Sequence, residues 1–141
     1  MNIHDAYGKK IIEEVANLLG ITFRNSGNEI KVSYGNSEAR IDCTVDQIAV
    51  EIESRTEKQI RGAIIDLYFH PYSKKLLVII PANQGNPQKA KSQCEYILSK
   101  LQSNNLNSFK FKVILLNGNG DTSKKEKDKE LVKKAIEYLL E

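Results

Sequence analysis

The run Lys75-Leu76-Leu77-Val78-Ile79-Ile80 constrains this chain more than any other stretch. It offers no polar face, so a strand there must be covered on both sides. Such a strand is central, and the chain must supply helices to flank it. The helices are legible from apolar spacing. Ala6 to Leu19 carries Tyr7, Ile11, Val15, Leu18 and Leu19 on one stripe, and Gly20 stops it. Thr56-Glu57-Lys58-Gln59 has the pattern of a capping box, and Ile60, Ala63, Ile64, Leu67 and Tyr68 follow at helical spacing until Pro71. Asn86-Pro87 supplies a cap and a first residue for a third helix, with Ala90, Cys94, Ile97, Leu98 and Leu101 turned inward. Ser123 to Glu141 gives the last helix, whose opening run Lys124 to Lys129 mixes both signs and reads as a solvated end.

The remaining strands lie mostly before the central one. Ile21–Arg24, Glu29–Tyr34, Ala39–Val45 and Ile48–Ser54 are separated by turns too short for parallel crossovers, which predicts an antiparallel meander. Phe109–Leu116 follows a helix and is expected to lie parallel to residues 75–80. The fold class is therefore α/β, with a mixed central sheet flanked by helices. A length of 141 residues suits one domain, residues 1–141, with one core.

Composition excludes several classes. Apolar residues make up 40% and charged residues 28%, and no apolar run is long enough to span a bilayer. The start lacks the layout of a secretory signal. Cys43 and Cys94 have no framework or ligand spacing and read as reduced, buried residues, which fits a cytoplasmic protein. His4 and His70 are too few and too scattered for a zinc cluster. Asn117-Gly118-Asn119-Gly120 lacks the Lys-Ser/Thr of a phosphate loop. A net charge of +3 permits a polyanionic partner without requiring one.

The chemistry concentrates between Arg40 and Arg55. In Ala49-Val50-Glu51-Ile52-Glu53 the alternation sends Val50 and Ile52 one way and Glu51, Glu53 and Arg55 the other. A turn at Asp46-Gln47 folds Asp42 back beside Glu51 and Glu53. Three carboxylates so gathered repel one another unless a cation sits among them. Magnesium held by one or two carboxylates and several waters suits phosphodiester cleavage, with Mn2+ able to substitute. Lys58, Gln59 and Arg61 open the helix that follows directly, so positive charge lies near the strand's end. The competing reading is an exposed acidic face in which Glu51 and Glu53 pair with Lys31 or Arg40.

With the order helix, three strands, helix, strand, the chain resembles the PD-(D/E)xK nuclease superfamily over roughly residues 6–81. Asp42 matches the family's strand-two Asp, and Glu51 matches the first acid of its Glu-x-Lys, with eight residues between them. Glu53 stands where most members carry Lys, as it does in one group of restriction enzymes. The resemblance implies a restriction-endonuclease-like α-βββ-α-β core, extended here by a C-terminal α-β-α. It assigns Asp42, Glu51 and Glu53 to metal binding and catalysis. Glu14 fits the family's helix-one acid and Gln59 its polar residue early in the following helix, both as catalytic residues. Arg55, Lys58 and Arg61 are candidate nucleic-acid contacts, and Arg55 or Lys58 could supply the missing lysine's charge.

The implied activity is that of a Mg2+-dependent DNA endonuclease of restriction type, a hydrolase with no organic cofactor. Cutting both strands with one site per chain calls for a homodimer. A Holliday-junction resolvase or repair nuclease is the alternative within the class. A nuclease fold kept as a non-catalytic nucleic-acid-binding or assembly module is the alternative outside it.

Overall fold

A computed structural model of the chain describes residues 2–25, 31–55, 57–83, 85–104 and 108–141. The elements run α1 (Ile3–Leu19), β1 (Phe23–Asn25), β2 (Val32–Tyr34), β3 (Ser37–Ala39), β4 (Cys43–Val45), β5 (Ile48–Glu53), α2 (Glu57–Phe69), β6 (Lys74–Ile79), α3 (Pro87–Ser103), β7 (Lys110–Leu115), a 3-10 turn (Thr122–Lys124) and α4 (Lys125–Leu140). Thr56, the expected cap of α2, lies outside the described residues, as do residues 26–30, where a turn and the start of a strand were expected.

Five strands form one sheet in the order β1-β4-β5-β6-β7. The first two pairings are antiparallel and the last two parallel, so the sheet is mixed. The apolar run at residues 75–80 supplies β6, which sits between β5 and β7 and is covered on both faces. Leu76, Val78 and Ile80 pack with α1 and α4. Leu77 and Ile79 pack with α2 and α3. These are the two layers that a wholly apolar strand demands.

Two sequence expectations are corrected. The strand expected over Ala39–Val45 is broken. Ser37–Ala39 pairs with Val32–Tyr34 in a separate hairpin, while Cys43–Val45 enters the main sheet between β1 and β5. Ile41 and Cys43, two residues apart, would share a face in a regular strand. Instead Ile41 is buried with α2 and α3, and Cys43 with α1 and α4, so the backbone must turn over between them. The meander is thus β1-β4-β5, with the β2-β3 hairpin inserted.

The second correction concerns Asp128, which was expected on a solvated helix end but is fully buried. Its carboxylate accepts from Asn117 N at 2.6 Å, Asn117 Nδ2 at 3.1 Å, Gly118 N at 2.9 Å and the Tyr7 hydroxyl at 2.6 Å. It ties the loop after β7 to α1 and α4.

Helix α1 begins three residues earlier than apolar spacing suggests, because the Asn2 side chain caps it by accepting from Asp5 N at 2.8 Å. Its other end stops at Gly20, left-handed with φ 69°. Gly8 sets how closely α1 approaches the sheet. A Cβ there would lie 3.0 Å from both Ile52 Cγ2 and Ile80 Cδ1. No described helix is long and apolar enough to cross a membrane.

Candidate active site

The turn between β4 and β5 is two residues long, with Val45 opposite Ile48. Asp46 holds it in the left-handed region at φ 49°, its carboxylate accepting from Thr22 N at 3.0 Å. Cross-strand pairing runs from there to Cys43 opposite Val50 and then stops. Beyond that point side chains continue the ladder. Asp42 Oδ2 accepts the Ile52 N–H at 2.7 Å, and Glu51 Oε1 accepts the Asp42 N–H at 2.9 Å. The two carboxylates are therefore fixed beside each other by reciprocal bonds to the same two strands.

Their burial excludes the exposed-face reading. Glu51 is 8% exposed and Glu53 only 3%, so neither decorates a solvated sheet. Lys31, one of the partners expected on that reading, pairs with Glu38 at 3.6 Å. Burial, and then the charge of Asp42, push the Glu51 carboxyl up to about 10. Burial raises Asp42 as well, offset in part by the Ile52 N–H. The two carboxyls titrate as a pair, and the pair holds a proton more readily than two separate acids.

Further charge surrounds the pair. Arg55 forks onto Glu53, with Nε at 2.5 Å from Oε1 and Nη2 at 3.0 Å from Oε2. Both Glu53 oxygens are engaged in this way. From α1, Asp5 and Lys9 lie on one helix face at i and i+4 and act on the same site. The charge of Lys9 favours ionised Asp42, and its Nζ donates to Asn25 Oδ1 at 2.6 Å. Asp5 is raised by burial and by the Glu53 and Asp42 charges, against the Ser54 hydroxyl and Arg55. Its Oδ1 is buried with no hydrogen-bond partner. Ser54, fully buried, joins the surrounding segments, its hydroxyl accepting from Asn2 Nδ2 at 3.3 Å and its carbonyl from Asn83 Nδ2 at 3.0 Å. On the α2 side, Asp66 accepts the Tyr34 hydroxyl at 2.5 Å, and its charge adds to the upward push on Glu51.

Asp42, Glu51 and Glu53, with Arg55, are therefore brought to one end of β5. The other expected site residues lie on α1 and α2. Glu14 pairs with Lys125 of α4 at 2.9 Å. Lys58 and Gln59 are exposed in the first turn of α2. Arg61 lines a groove between α2 and α3. Sequence reasoning missed Asp5 and Lys9, and it read Asp66 as solvated or salt-bridged, whereas Asp66 is part-buried on the Tyr34 hydroxyl. Asp5 had a usable signal, Asn2 followed three residues later by an acid, which marks a helix start ahead of the apolar stripe.

No family model, curated protein or solved structure matches this chain.

Among the described residues no group of three or more His, Cys, Asp or Glu is arranged to hold a metal ion. The donor set at Asp42 and Glu51 nonetheless fits a hard divalent cation in its chemistry: two carboxylates side by side, each with one oxygen on a backbone amide and the two side chains hydrogen-bonded to each other. Magnesium asks no more of a protein than one or two such groups. Glu53, expected as a third ligand, is neutralised by Arg55 instead.

Proposed function

We propose that this chain is a metal-dependent endonuclease that hydrolyses DNA phosphodiester bonds on a PD-(D/E)xK-type core. One observation carries the reading: Asp42, just before β4, and Glu51, on β5, are held together by bonds from the Ile52 and Asp42 N–H groups while both carboxyl groups are raised by burial. A protein gains nothing in stability from such a pair. The order α1-β1-β4-β5-α2-β6, with a hairpin inserted after β1, supports the same assignment.

In this reading Asp42 and Glu51 would hold Mg2+ or Mn2+, which when bound would supply an acidified water and charge neutralisation at the phosphate. Hydrolysis forms a P–O bond to a water oxygen and breaks the P–O bond to one sugar oxygen, and the proton the water gives up balances the one the sugar oxygen takes. The protein's own residues set the electrostatics. Arg55 cancels the charge of Glu53, so the site does not repel an approaching phosphate as strongly as its acid count suggests. Lys9 puts positive charge next to Asp42 from α1, in the absence of a lysine two residues after Glu51.

The test is cleavage of supercoiled plasmid and of four-way-junction DNA in Mg2+ or Mn2+, alongside calorimetric titration with each ion. Expected are metal-dependent cutting and one specific binding event. Both should be lost in Asp42→Ala and Glu51→Ala while circular dichroism stays native. The plasmid and junction arms separate a restriction-type enzyme, expected as a homodimer, from a resolvase. Full activity in both variants rules the site out. The forked Glu53–Arg55 pair in place of a lysine favours one second reading, a non-catalytic binding module. Tight DNA binding with neither cleavage nor ion binding would establish that reading.

A further inference from the structure

The groove where Arg61 lies is separate from the carboxylate pair. It is about 310 Å³ in volume and is bounded by Arg61 of α2 and by Lys89, Ser92, Gln93, Tyr96 and Ile97 of α3. Its lining holds two cations and no acid. Glu95, also on α3, is paired with Lys91 at 3.2 Å. Tyr96 is 64% exposed although aromatic, and Lys100 holds its Nζ 5.6 Å from the ring centroid. Lys89 and Tyr96 are seven residues apart on one helix, roughly 10 Å along its axis.

Topology ties this groove to the site. Strands β5, β6 and β7 are parallel, so α2 and α3 both start at the sheet end where β5 delivers Glu53. Arg61 is in the second turn of α2 and Lys89 in the first turn of α3. Ala49 is buried with α2 and α3, so by strand alternation Glu51 and Glu53 face the same side. Asn83, in the loop before α3, donates to the carbonyl of Ser54, the residue after Glu53.

We infer that the α2–α3 groove seats an unpaired nucleic-acid strand adjoining the carboxylate centre. The inference rests on the nuclease reading above and deepens it by naming a substrate class, DNA with a single-stranded or splayed segment. A cleft of this volume is the size of a small-molecule site, which suits one unstacked nucleotide better than a duplex. Cations flanking an exposed aromatic ring suit phosphates and one stacked base, since every base has a π-face. Arg61 and Lys89 take the backbone, and Tyr96 takes the base.

Fluorescence anisotropy in EDTA, with labelled oligothymidylate and a labelled blunt duplex of equal length, tests this without cleavage. Tyr96→Ala is expected to weaken oligothymidylate binding by about 5- to 100-fold while leaving the duplex unchanged. Lys89→Ala is expected to lower the salt slope for the oligonucleotide by about one. Tyr96 is exposed, so native circular dichroism is expected in its variant. An unchanged oligonucleotide affinity in Tyr96→Ala, or an equal loss on both DNAs, overturns the inference. So does Tyr96-dependent binding of a polyglutamate peptide in place of the oligonucleotide. Failure of the nuclease reading looks different: Tyr96-dependent binding persists, but no metal-dependent cleavage occurs.

Discussion

Two buried carboxylate sites in this protein are provisioned in opposite ways. Asp128 is a single group that meets four donors, three from the loop after β7 and one from Tyr7. Asp42 and Glu51 are two groups that meet two backbone amides and otherwise face each other. The first arrangement satisfies a buried acid and is used to fasten a loop to two helices. The second leaves a deficit of positive charge, which shows as upward-shifted carboxyl groups. Burial of an acid is therefore not itself the mark of a functional site. The ratio of donors to carboxylates distinguishes the two.

If that contrast is correct, the largest effect on folding belongs to the satisfied site. Asp128→Ala removes the partner of the buried Gly118 N–H and of the part-buried Tyr7 hydroxyl and Asn117 N–H. A buried orphan costs ~1–3 kcal/mol and a part-buried one less, so a loss of ~3 kcal/mol is expected in urea unfolding. A cost below ~1 kcal/mol would break the comparison, because the four bonds would then be incidental.

The same contrast predicts that Asp42→Ala and Glu51→Ala act on chemistry rather than on folding. Cleavage should fall by roughly 10²–10³-fold or more, as when a group facing the transition-state charge is deleted. Urea midpoints should stay near the wild-type value, because each deletion also removes a repulsion. Unfolding of both variants would place this pair in the same structural class as Asp128.

How far the two sites could be read from sequence follows from the same physics. The apolar run of β6 and the stripes of the helices are periodic, so the layers around the sheet were legible. Asp42, Glu51 and Glu53 were legible because strand alternation and a two-residue turn fix which side chains meet. Asp128 was not, since its donors lie 10 to 121 residues away and include backbone amides, which carry no residue signature. Asp5 and Lys9 were missed for a related reason. They reach the site through the close approach that Gly8 permits, a tertiary fact with no local pattern. The break at Ile41 was hidden because two adjacent cores, both apolar, look like one strand in sequence.

A smaller change probes the satisfied site without deleting the acid. A Cβ on Gly118 would stand 2.7 Å from the Tyr7 hydroxyl and 3.2 Å from Asp128 Oδ2. Gly118→Ala is therefore expected to displace Tyr7 and cost about 1–2 kcal/mol, the value of one charge-assisted bond. Tyr7→Phe should show a similar loss, and Gly118→Ala on the Tyr7→Phe background should cost less than it does alone. Strict additivity would mean that the steric conflict is relieved elsewhere.

The smallest expected effect is the most diagnostic of the unsatisfied pair. In EDTA, Glu51 titrates near 10 when folded, against 4.5 as an ordinary glutamate. Between those values the folded protein binds more protons than the unfolded chain, so this group's contribution is complete below pH 4.5 and is lost as pH rises through about 10. Glu51→Gln keeps an oxygen for the Asp42 N–H but no longer titrates. It should flatten this fall, and near pH 8 it should match or exceed wild-type stability by about 1 kcal/mol. Thermal melts from pH 5 to 9 measure both slopes. Mg2+ should then stabilise the wild type more at pH 8 than at pH 6, because it competes with a proton for the same oxygens. Glu51→Gln should lose most of that response. If wild-type stability instead rose with pH through a Glu51-dependent step, the pair would be a provisioned one like Asp128, and the case for a cation site would fall with it.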